Sequence, residues 1–178
     1  EQAASLIVNP LTAMGLLETA RRGGHRAAVQ TAGASQLGRM LVAMAAELNF
    51  PIINVVRRKA QVELLKSMGA AHVLNSSDDD FVDRLGAIAA ELQATTAFEA
   101  IGGEMTGTLF NVLPEGSTVF VYGALSEAAC DNIDPIELIF RGKTVTGFYL
   151  GAWLRERGSL DVVRAASRAQ KMLIDGRI

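Results

Sequence analysis

Three consecutive basic residues, Arg57, Arg58 and Lys59, follow the short apolar segment Ile52–Val56. About twenty residues earlier, at positions 32–38, the chain carries the run AGASQLG, in which most side chains are small. Small side chains let a charged ligand approach the backbone, and guanidinium groups bind phosphate oxygens through paired hydrogen bonds. The two segments together predict a site for a phosphate-bearing ligand.

The run at 32–38 lies where a predicted strand meets a predicted helix. The N-terminus of a helix offers free N–H groups and a partial positive charge, so it attracts anions. Ala34 and Ser35 are small enough for a pyrophosphate to approach, and Gly38 permits close packing of the helix on the strand. The run reads A-x-x-S-x-x-G rather than the full G-x-G-x-x-G pattern. Small residues also occur in tight turns that bind no ligand, and this alternative stays open.

The basic residues indicate which dinucleotide such a site prefers. In dinucleotide-binding folds the second strand delivers a side chain to the adenosine ribose. A carboxylate there bonds the 2′-OH of NAD, whereas an arginine accommodates the 2′-phosphate of NADP. Arg57 and Arg58 follow the second predicted strand, and the next carboxylate along the chain is Glu63. This pattern predicts NADP as the cofactor, with a solvated basic turn that binds no ligand as the alternative.

Strand and helix patterns alternate along the chain. Short segments rich in Val, Ile, Phe or Thr predict buried strands at Ala27–Thr31, Ile52–Val56, His72–Leu74, Ala97–Ala100, Thr118–Tyr122 and Thr144–Phe148. Helical spacing predicts helices at Leu37–Leu48, Lys59–Ser67, Asp79–Leu92, Met105–Val112 and Leu160–Leu173. Asn9-Pro10 has the form of a helix start, Gly23-Gly24 that of its end, and Ser76–Asp80 that of a helix N-cap. This alternation predicts an α/β fold with a doubly wound parallel (Rossmann) sheet of about six strands and helices on both faces.

Composition excludes several other classes of protein. Hydrophobic residues make up 49% of the 178 residues and charged residues 20%, as in ordinary globular domains. The net charge of −2 lacks the basic excess of a nucleic-acid-binding domain, and no apolar run is long enough for a membrane helix. With Cys130, His25 and His72 as its only Cys and His residues, the chain offers no zinc-ligand cluster, so we expect no metal site.

The chain begins at Glu1 without a methionine. We therefore expect residues 1–178 to form one NAD(P)-binding domain excised from a longer chain. We expect a cytoplasmic protein, although an organelle-targeting segment could have been lost with the missing N-terminus.

The sequence resembles the cofactor-binding domain of the medium-chain dehydrogenase/reductases. Within that superfamily, which includes the zinc-type alcohol dehydrogenases, it is most similar to the zinc-free quinone reductases and the mitochondrial-type 2-enoyl thioester reductases. The resemblance covers essentially the whole chain. Besides the run at 32–38, its motifs are NPLTA (Asn9–Ala13), INVVRR (Ile53–Arg58), LLKSMGAAHVLN (Leu64–Asn75), FEAIGG (Phe98–Gly103), VYGALS (Val121–Ser126) and LIFRGKTVTGFYLGAWL (Leu138–Leu154).

The resemblance implies which residues bind the cofactor. It places Asn9 near the nicotinamide, Ala34, Ser35, Gln36 and Leu37 along the pyrophosphate, Arg57, Arg58 and Lys59 at the 2′-phosphate, Tyr122, Gly123, Ala124 and Leu125 beside the nicotinamide ribose, and Phe148, Tyr149 and Leu150 at the carboxamide. Gln36 departs from the family pattern, which usually has a glycine there. Its side chain must point away from the phosphates or donate to them.

The resemblance also implies a function for the longer protein. The chain would be the NADPH-binding domain of an oxidoreductase that transfers hydride to a quinone or to an activated C=C bond, as in a 2-enoyl thioester. The small-molecule substrate would bind the missing catalytic domain, so we assign no catalytic residue here and expect this segment to be inactive alone. A zinc-dependent enzyme of the alcohol dehydrogenase type and a non-catalytic NADPH-binding protein are the alternatives.

Two other enzyme classes with a doubly wound sheet do not fit. A short-chain dehydrogenase needs a Tyr-x-x-x-Lys pair, but Tyr122 and Tyr149 are followed at that spacing by Ser126 and Trp153. A class I methyltransferase would have an acidic residue after the second strand, where this chain has Arg57.

The segment Gly142–Leu150 is predicted to be the last strand of the sheet and therefore an edge. Arg141 and Lys143 precede it, and neither proline nor charge interrupts the strand itself. An unprotected edge can pair with the same strand of a second copy, and in the family two cofactor domains join in this way. We therefore expect a homodimer through this edge. The alternative is an edge covered by the helix Leu160–Leu173 or by the missing domain.

Overall fold

A computed structural model describes the backbone of residues 2–176 and 178, with all their side chains except those of residues 2–6 and 159. In chain order the elements are α1 (Gln2–Arg22), β1 (Ala28–Gln30), α2 (Gln36–Glu47), β2 (Ile52–Val56), α3 (Lys59–Ser67), β3 (His72–Asn75), α4 (Phe81–Glu91), β4 (Thr96–Glu99), α5 (Glu104–Val112), β5 (Thr118–Val121), α6 (Pro135–Phe140), β6 (Thr144–Gly147), α7 (Leu150–Arg155) and α8 (Ser159–Ile174). Within this described part, no helix combines the length and the apolar character that a membrane crossing needs.

The six strands form one parallel sheet in the order β3-β2-β1-β4-β5-β6. The predicted doubly wound α/β fold is therefore confirmed, and the predicted strands agree with the observed ones to within one residue at each end. The order reverses at β1, which pairs with β2 on one side and β4 on the other. In such sheets the ligand crevice lies at the carboxyl ends of the strands beside this reversal.

Both faces of the sheet are covered, because alternate residues of each strand point to opposite sides. On one face Val29, Ile53 and Ala97 pack against the apolar residues of α4 and α5. On the other face Ala28 and Phe98 pack against α1, α2 and α8. The strands carry no polar alternation because they are buried on both faces, as parallel strands usually are.

The N-terminal helix begins earlier than its sequence pattern predicts. Pro10 lies inside α1, not at its first turn, so the prediction of a helix start at Asn9-Pro10 is wrong. Proline removes one backbone donor from the helix, but this loss does not end α1 because Leu16, Leu17 and neighbouring residues bury its following turns against the sheet. The predicted end is confirmed, since α1 stops at Arg22.

The acidic run before α4 is not a side-chain cap. The helix starts at Phe81, and its N-cap residue Asp80 makes no capping hydrogen bond through its side chain. Asp80 and Asp78 instead lie 3.6 and 3.7 Å from the guanidinium of Arg84, one turn into the helix. The interpretation of Ser76–Asp80 as a capping segment is therefore wrong in its contacts, although its position before a helix is correct.

The sequence patterns did not predict two short helices, α6 and α7. α6 begins with Pro135 in its first turn, and the carboxylate of Asp134 accepts the N–H of Ile136 at 2.8 Å, which is a complete start signal. α7 begins at Leu150, so the wider edge segment Gly142–Leu150 is too long for the last strand, whereas the narrower prediction Thr144–Phe148 is correct to within one residue. The observed strand β6 spans only Thr144–Gly147, but it is the terminal strand of the sheet, as predicted.

Two amide side chains are buried within the sheet. Gln30 on β1 donates through Nε2 to the carbonyl of Gly38 at 3.1 Å and to Oδ1 of Asn54 on β2. Asn54 in turn donates to the carbonyls of Ile52 and of His72 on β3, at 3.1 and 2.9 Å. Side-chain hydrogen bonds thus connect three adjacent strands and the first turn of α2.

Lys143, which precedes the edge strand β6, does not lie along the exposed edge of the sheet. Its side chain is buried, and Nζ donates to the carbonyls of Phe110 and Asn111, both at 3.0 Å. Nζ also lies 2.5 Å from Oε2 of Glu137 on α6. A positive charge at the last carbonyls of a helix is favourable, so Lys143 stabilises the C-terminus of α5 and joins it to α6 and β6.

Gly38 lies where α2 contacts the turn that precedes it. A Cβ atom at Gly38 would be 2.4 Å from the carbonyl oxygen of Gly33 and 2.7 Å from that of Ala32. Both distances are well below van der Waals contact, and both neighbours are backbone. The predicted close packing at Gly38 is therefore confirmed, and it leaves no space for any other residue.

We expect Lys143→Met to lower the free energy of unfolding by about 3 kcal/mol, because it leaves Glu137 without its buried partner and two carbonyls without a donor. Urea denaturation would measure the change. Arg141→Met is the matched control, since Arg141 contacts the same carboxylate at 3.3 Å from an exposed position. This control should cost less than about 1 kcal/mol. Equal losses for the two variants would contradict the role assigned to Lys143.

We expect Gly38→Ala to destabilise the chain by roughly 2–3 kcal/mol, because the methyl group forces α2 away from its turn. Gly86→Ala on α4 is the control, since a Cβ atom there meets only Cγ1 of Val112, at 3.3 Å. Alanine is the better helix former, so this control should be neutral or slightly stabilising. Thermal denaturation of both variants tests the prediction, which a Gly38→Ala variant as stable as the unaltered chain would refute.

Candidate functional site: a crevice at the carboxyl ends of the strands

A crevice of about 570 Å³ opens at the carboxyl ends of β1, β2 and β4. One wall comes from the β1–α2 turn and the end of β2, and the other from the segments after β4 and β5. The lining residues are Ala32, Ala34, Ser35, Val55, Val56, Arg57, Gln61, Ser76, Ile101, Met105, Leu125 and Ser126. Its place beside the reversal of strand order is where doubly wound sheets bind ligands, and its volume is ordinary for a small-molecule site.

The N-terminus of α2 forms part of the first wall. Ser35 is the N-cap, and its hydroxyl accepts the N–H of Gly38 at 3.0 Å. Within the part of the chain that the structure describes, the N–H groups of Gln36 and Leu37 have no hydrogen-bond partner. These donors, together with the helix dipole, can bind an anion. The hydroxyl of Ser35 itself is occupied by capping, so the contribution of Ser35 to a ligand is its small size.

The small residues of the turn answer two separate requirements. Ala32 has a φ of +50° and Gly33 donates to the carbonyl of Val55 on β2 at 3.1 Å. A Cβ atom at Gly33 would lie 3.2 Å from Cδ1 of Leu65 and 3.3 Å from Cβ of Asn54. A side chain at Gly33 would therefore crowd Leu65 and Asn54 whether or not a ligand is bound. Ala34, by contrast, lines the crevice, and there the absence of a large side chain keeps the crevice open.

Arg57 presents its side chain at the crevice from a fixed backbone. Its N–H donates to Oε1 of Gln61 at 3.2 Å, and its carbonyl accepts the hydroxyl of Ser77 at 3.2 Å. The guanidinium is exposed and takes part in none of the ion pairs found among the described residues. A fixed backbone with an uncommitted guanidinium suits recognition of a phosphate.

The structure separates the three basic residues that the sequence groups together. Arg57 lines the crevice, whereas Arg58 is the exposed N-cap residue of α3. Lys59 lines a different cavity of about 340 Å³, together with Lys66, Asn75 and other residues of α3 and β3. The geometry therefore favours Arg57 over Lys59 as the residue that binds a ligand in the crevice.

Asn9 and Gln36, two residues expected at the cofactor, contact each other. Nδ2 of Asn9 on α1 donates to Oε1 of Gln36 at 3.1 Å. This bond holds the long side chain of Gln36 against α1, which leaves its backbone N–H at the start of α2 available. The departure from glycine at this position is thus accommodated by a partner on the preceding helix.

The segment after β5 forms the second wall. Leu125 lines the crevice with 69% of its surface exposed, and Ala124 is exposed beside it. A Cβ atom at Gly123 would lie 2.8 Å from the carbonyl oxygen of Ala100, so this segment packs directly on the end of β4. Of the residues expected at the nicotinamide ribose, Leu125 reaches the crevice most directly.

Tyr122 lies beneath this wall, packed against the apolar cluster shared by α1 and α2. Its hydroxyl is buried and has no hydrogen-bond partner among the described residues. Burial, reinforced by the nearby carboxylate of Glu99, raises the pKa of the Tyr122 hydroxyl well above its ordinary value. The phenol is therefore neutral at physiological pH.

Phe148, Tyr149 and Leu150 lie at the end of β6 and the start of α7, at the same edge of the sheet but outside the crevice lining. Phe148 is half-buried, and its ring lies 2.7 Å from where a Cβ atom of Gly15 would be. The ring of Tyr149 is 68% exposed. Of the expected site residues, the structure therefore brings Ala34, Ser35, Arg57 and Leu125 together in the crevice lining. Phe148–Leu150 lie outside this lining.

Glu99 is the main residue that the sequence analysis missed. It ends β4, it is fully buried, and its carboxylate accepts hydrogen bonds from the turn that follows, which includes the crevice residue Ile101. A charged residue inside the apolar segment TAFEA was a visible signal, because a buried carboxylate needs several donors. Gln61, Ser76 and Met105 also line the crevice without having been singled out, and their residue types carry no comparable signal.

Metal ligands do not converge anywhere in the described part of the chain: no three His, Cys, Asp or Glu side chains there are close enough to hold an ion. Cys130 is exposed in the loop between β5 and α6.

Known proteins with similar sequences and folds include reductases. The chain is 28% identical over 184 aligned residues to the mitochondrial enoyl-[acyl-carrier-protein] reductase of Caenorhabditis elegans. The alignment covers 99% of this chain and 52% of that protein. It is 38% identical, with a TM-score of 0.89, to the crystal structure of a Mesorhizobium loti protein named as an NADPH:quinone reductase, over 98% of this chain and 51% of that one.

A third similar structure is the heterodimer of the mitochondrial 2-enoyl thioester reductase from Candida tropicalis. It has a TM-score of 0.82 at 23% identity, over 99% of this chain and 51% of that one, so this likeness shows the fold alone. The chain spans about half the length of each of these proteins. Residues 37–165 match the zinc-binding dehydrogenase family, and the match runs from the first turn of α2 through β2–β6 and includes the second wall of the crevice. The chain therefore belongs to the zinc-binding dehydrogenase family.

Proposed function

We propose that the chain binds NADPH in the crevice and serves as the cofactor domain of a reductase. Arg57 is the observation that carries this proposal, because its guanidinium lies at the crevice with no paired carboxylate among the described residues. The 2′-phosphate of NADPH would be its partner. The name of the Mesorhizobium loti protein, an NADPH:quinone reductase, agrees with this choice of cofactor.

The residues of the crevice fit each part of the cofactor. The free N–H groups of Gln36 and Leu37 suit the pyrophosphate, and Ala34 and Ser35 keep the approach to them open. Arg57 suits the 2′-phosphate, with Arg58 and Lys59 adding positive charge nearby. The nicotinamide half would extend along the second wall, past Leu125 and Tyr122–Ala124, toward Asn9 and Phe148–Leu150.

We propose that the complete protein reduces a quinone or an activated C=C bond, as in a 2-enoyl thioester. NADPH supplies the hydride in such reactions, and the residues of this chain bind and orient it. We infer that residues outside the chain bind the substrate and supply the proton, so no residue here is assigned to that step. The support is the names of the relatives, which are reductases of these two kinds. The C. elegans relative is mitochondrial by name, so a cytoplasmic location stays a prediction.

Calorimetric titration with NADPH and NADH tests the cofactor proposal. We expect NADPH to bind more tightly, and we expect Arg57→Ala to weaken NADPH by roughly 1.5–3 kcal/mol while changing NADH little, because one charged hydrogen-bonded contact is lost. Arg26→Ala is the control, since Arg26 is exposed at the opposite end of β1. Equal affinities of the unaltered chain for the two cofactors would refute the proposal.

We further propose that two copies pair through β6. This strand ends the sheet, and Thr144, Thr146 and Gly147 are exposed. Next to it α6 exposes apolar side chains, with Ile139 at 68% and Phe140 at 71% of their surface. α8 packs against α1 on a face of the sheet and leaves these residues exposed. An isologous pairing would bury the patch and satisfy the edge, and the C. tropicalis relative is named as a heterodimer.

The geometry of β6 gives a sharp test of this pairing. Thr144 donates its N–H to the carbonyl of Ser117, just before β5, at 2.9 Å, and Phe148 donates to that of Val121 at 2.8 Å, so the N–H of Val145 points outward by alternation. We expect a dimer by sedimentation velocity at micromolar concentration and a monomer for Val145→Pro, which removes that outward donor. Val145→Ala keeps the N–H and should remain a dimer. A monomeric unaltered chain, or a dimeric Val145→Pro variant, would contradict the pairing.

A further inference from the structure

Gln61 lies in the crevice lining, in the first turn of α3 and four residues after Arg57. Its side chain is half-buried, and Oε1 accepts the backbone N–H of Arg57 at 3.2 Å. A backbone N–H can only donate, so this bond requires the oxygen of the amide, and not its NH2 group, to face Arg57. The bond therefore fixes which end of the amide is left for other contacts.

The NH2 group of Gln61 is the end that remains. It makes no hydrogen bond with any residue that the structure describes. With one acceptor position already used by Arg57, two unused N–H donors are most of what Gln61 can offer a ligand. Such donors suit a phosphate group, whose charged oxygens are strong hydrogen-bond acceptors.

The polar side-chain groups that are still available in the crevice lie at one end of it. Ser35 caps α2 through its hydroxyl, and Ser126 donates to a backbone carbonyl at 2.7 Å. Among the described lining residues, the polar side chains that keep a group without a partner are those of Arg57, Gln61 and Ser76, and none of the lining residues is a carboxylate. Arg57 directly follows β2, Gln61 is in the next helix, and Ser76 directly follows β3. This is the end of the crevice to which the 2′-phosphate is assigned.

Gln61 has a second role that must be separated from ligand binding. A glutamine in the first turn of a helix can reach back to a backbone N–H and so stabilise the start of the helix. The bond from Arg57 does this here, and the carbonyl of Arg57 also accepts the hydroxyl of Ser77 at 3.2 Å. Direct contact with a ligand and support of Arg57 alone therefore predict different effects of substitution.

We propose that Gln61 is a second binding residue for the 2′-phosphate, with its NH2 group donating to a phosphate oxygen beside Arg57. The inference rests on the proposed NADPH site. NADH carries a neutral hydroxyl in place of the phosphate, and a hydrogen bond to a charged acceptor is roughly twice as strong as one to a neutral acceptor. Gln61 therefore contributes to the preference for NADPH over NADH.

The experiment measures the affinities of NADPH and NADH by calorimetric titration. Gln61→Met has a side chain of similar length without the amide donors. We expect it to weaken NADPH by roughly fivefold to tenfold and to leave NADH within about twofold of its original affinity, because only the charged contact is lost. Gln170→Met is the matched control, since Gln170 is exposed on α8 and does not line the crevice. It should leave both affinities unchanged.

A second pair of variants separates direct contact from support of Arg57. In Arg57→Ala no guanidinium remains for the Gln61 bond to hold in place. We expect Arg57→Ala/Gln61→Met to bind NADPH at least about threefold more weakly than Arg57→Ala, with NADH again little changed. A loss that disappears in the Arg57→Ala chain would mean that Gln61 acts only through Arg57, and it would overturn the proposal.

Gln61→Glu gives a further test with an intact helix start. Glutamate keeps an oxygen for the N–H of Arg57 and serves this helix position as well as glutamine does. It replaces the NH2 donors with a charged oxygen that repels a phosphate. We expect it to weaken NADPH more than Gln61→Met does, and an unchanged affinity for NADPH would contradict direct contact.

The outcomes separate the two levels of inference. An unaltered chain that binds NADPH no more tightly than NADH would overturn the proposed cofactor, and the role of Gln61 with it. A chain that prefers NADPH, but keeps the same ratio of the two affinities in Gln61→Met, would overturn the role of Gln61 alone. A Gln170→Met variant that shifts the ratio as much as Gln61→Met would also overturn that role, because the effect would then be independent of the crevice.

Discussion

The first turn of α2 lies on the β1–α2 turn with no space for one additional carbon atom at Gly38. The rest of the site depends on this contact. It brings the helix close enough for Ser35 to cap it and for the backbone of Gly33 to reach β2. It also sets the start of α2, with its free N–H groups, next to Ser35, which lines the crevice. Gly38, one of the small residues that first suggest a phosphate site, is therefore required by packing before any ligand is considered.

A second set of contacts holds the opposite wall, and its chemistry differs. Where the first wall uses close backbone packing, the second uses the buried charge of Glu99 and two glycines with positive φ, Gly102 and Gly103. Beyond the crevice, Lys143 buries another charge between α5, α6 and β6. Charges inside this fold are thus placed at junctions where three elements meet, and each is matched by several donors or acceptors.

Sequence periodicity was sufficient to locate the strands, because strands buried on both faces appear as short apolar runs, and their alternation with helices predicts a parallel sheet. It failed where tertiary packing overrides a local signal. Pro10 marks a helix start by its chemistry, yet the packing of α1 on the sheet carries the helix through it. The role of Lys143 is likewise not visible in the local sequence, because the carbonyls that it binds belong to a helix more than thirty residues earlier.

The sequence likewise predicted some parts of the candidate site and not others. Ala34, Ser35 and Arg57 follow from spacing alone, because loop and strand tip are adjacent in any doubly wound sheet. The position of Lys59 in a different cavity could not be predicted from spacing, because it depends on where α3 begins. The short helix α6 is a different kind of failure, because Asp134-Pro135 carries its start signal in full.

The paired amides of Gln30 and Asn54 bear on how the chain avoids misfolding. In the native register Gln30 lies opposite Asn54, and Asn54 opposite Val73. If β2 slipped by one residue, its side chains would exchange faces, and Asn54 would enter the apolar cluster of Phe81 and Leu109. An amide without a partner there costs about 1–3 kcal/mol. Parallel strands assemble slowly from distant segments, so this penalty discriminates against shifted pairings while the sheet is still forming.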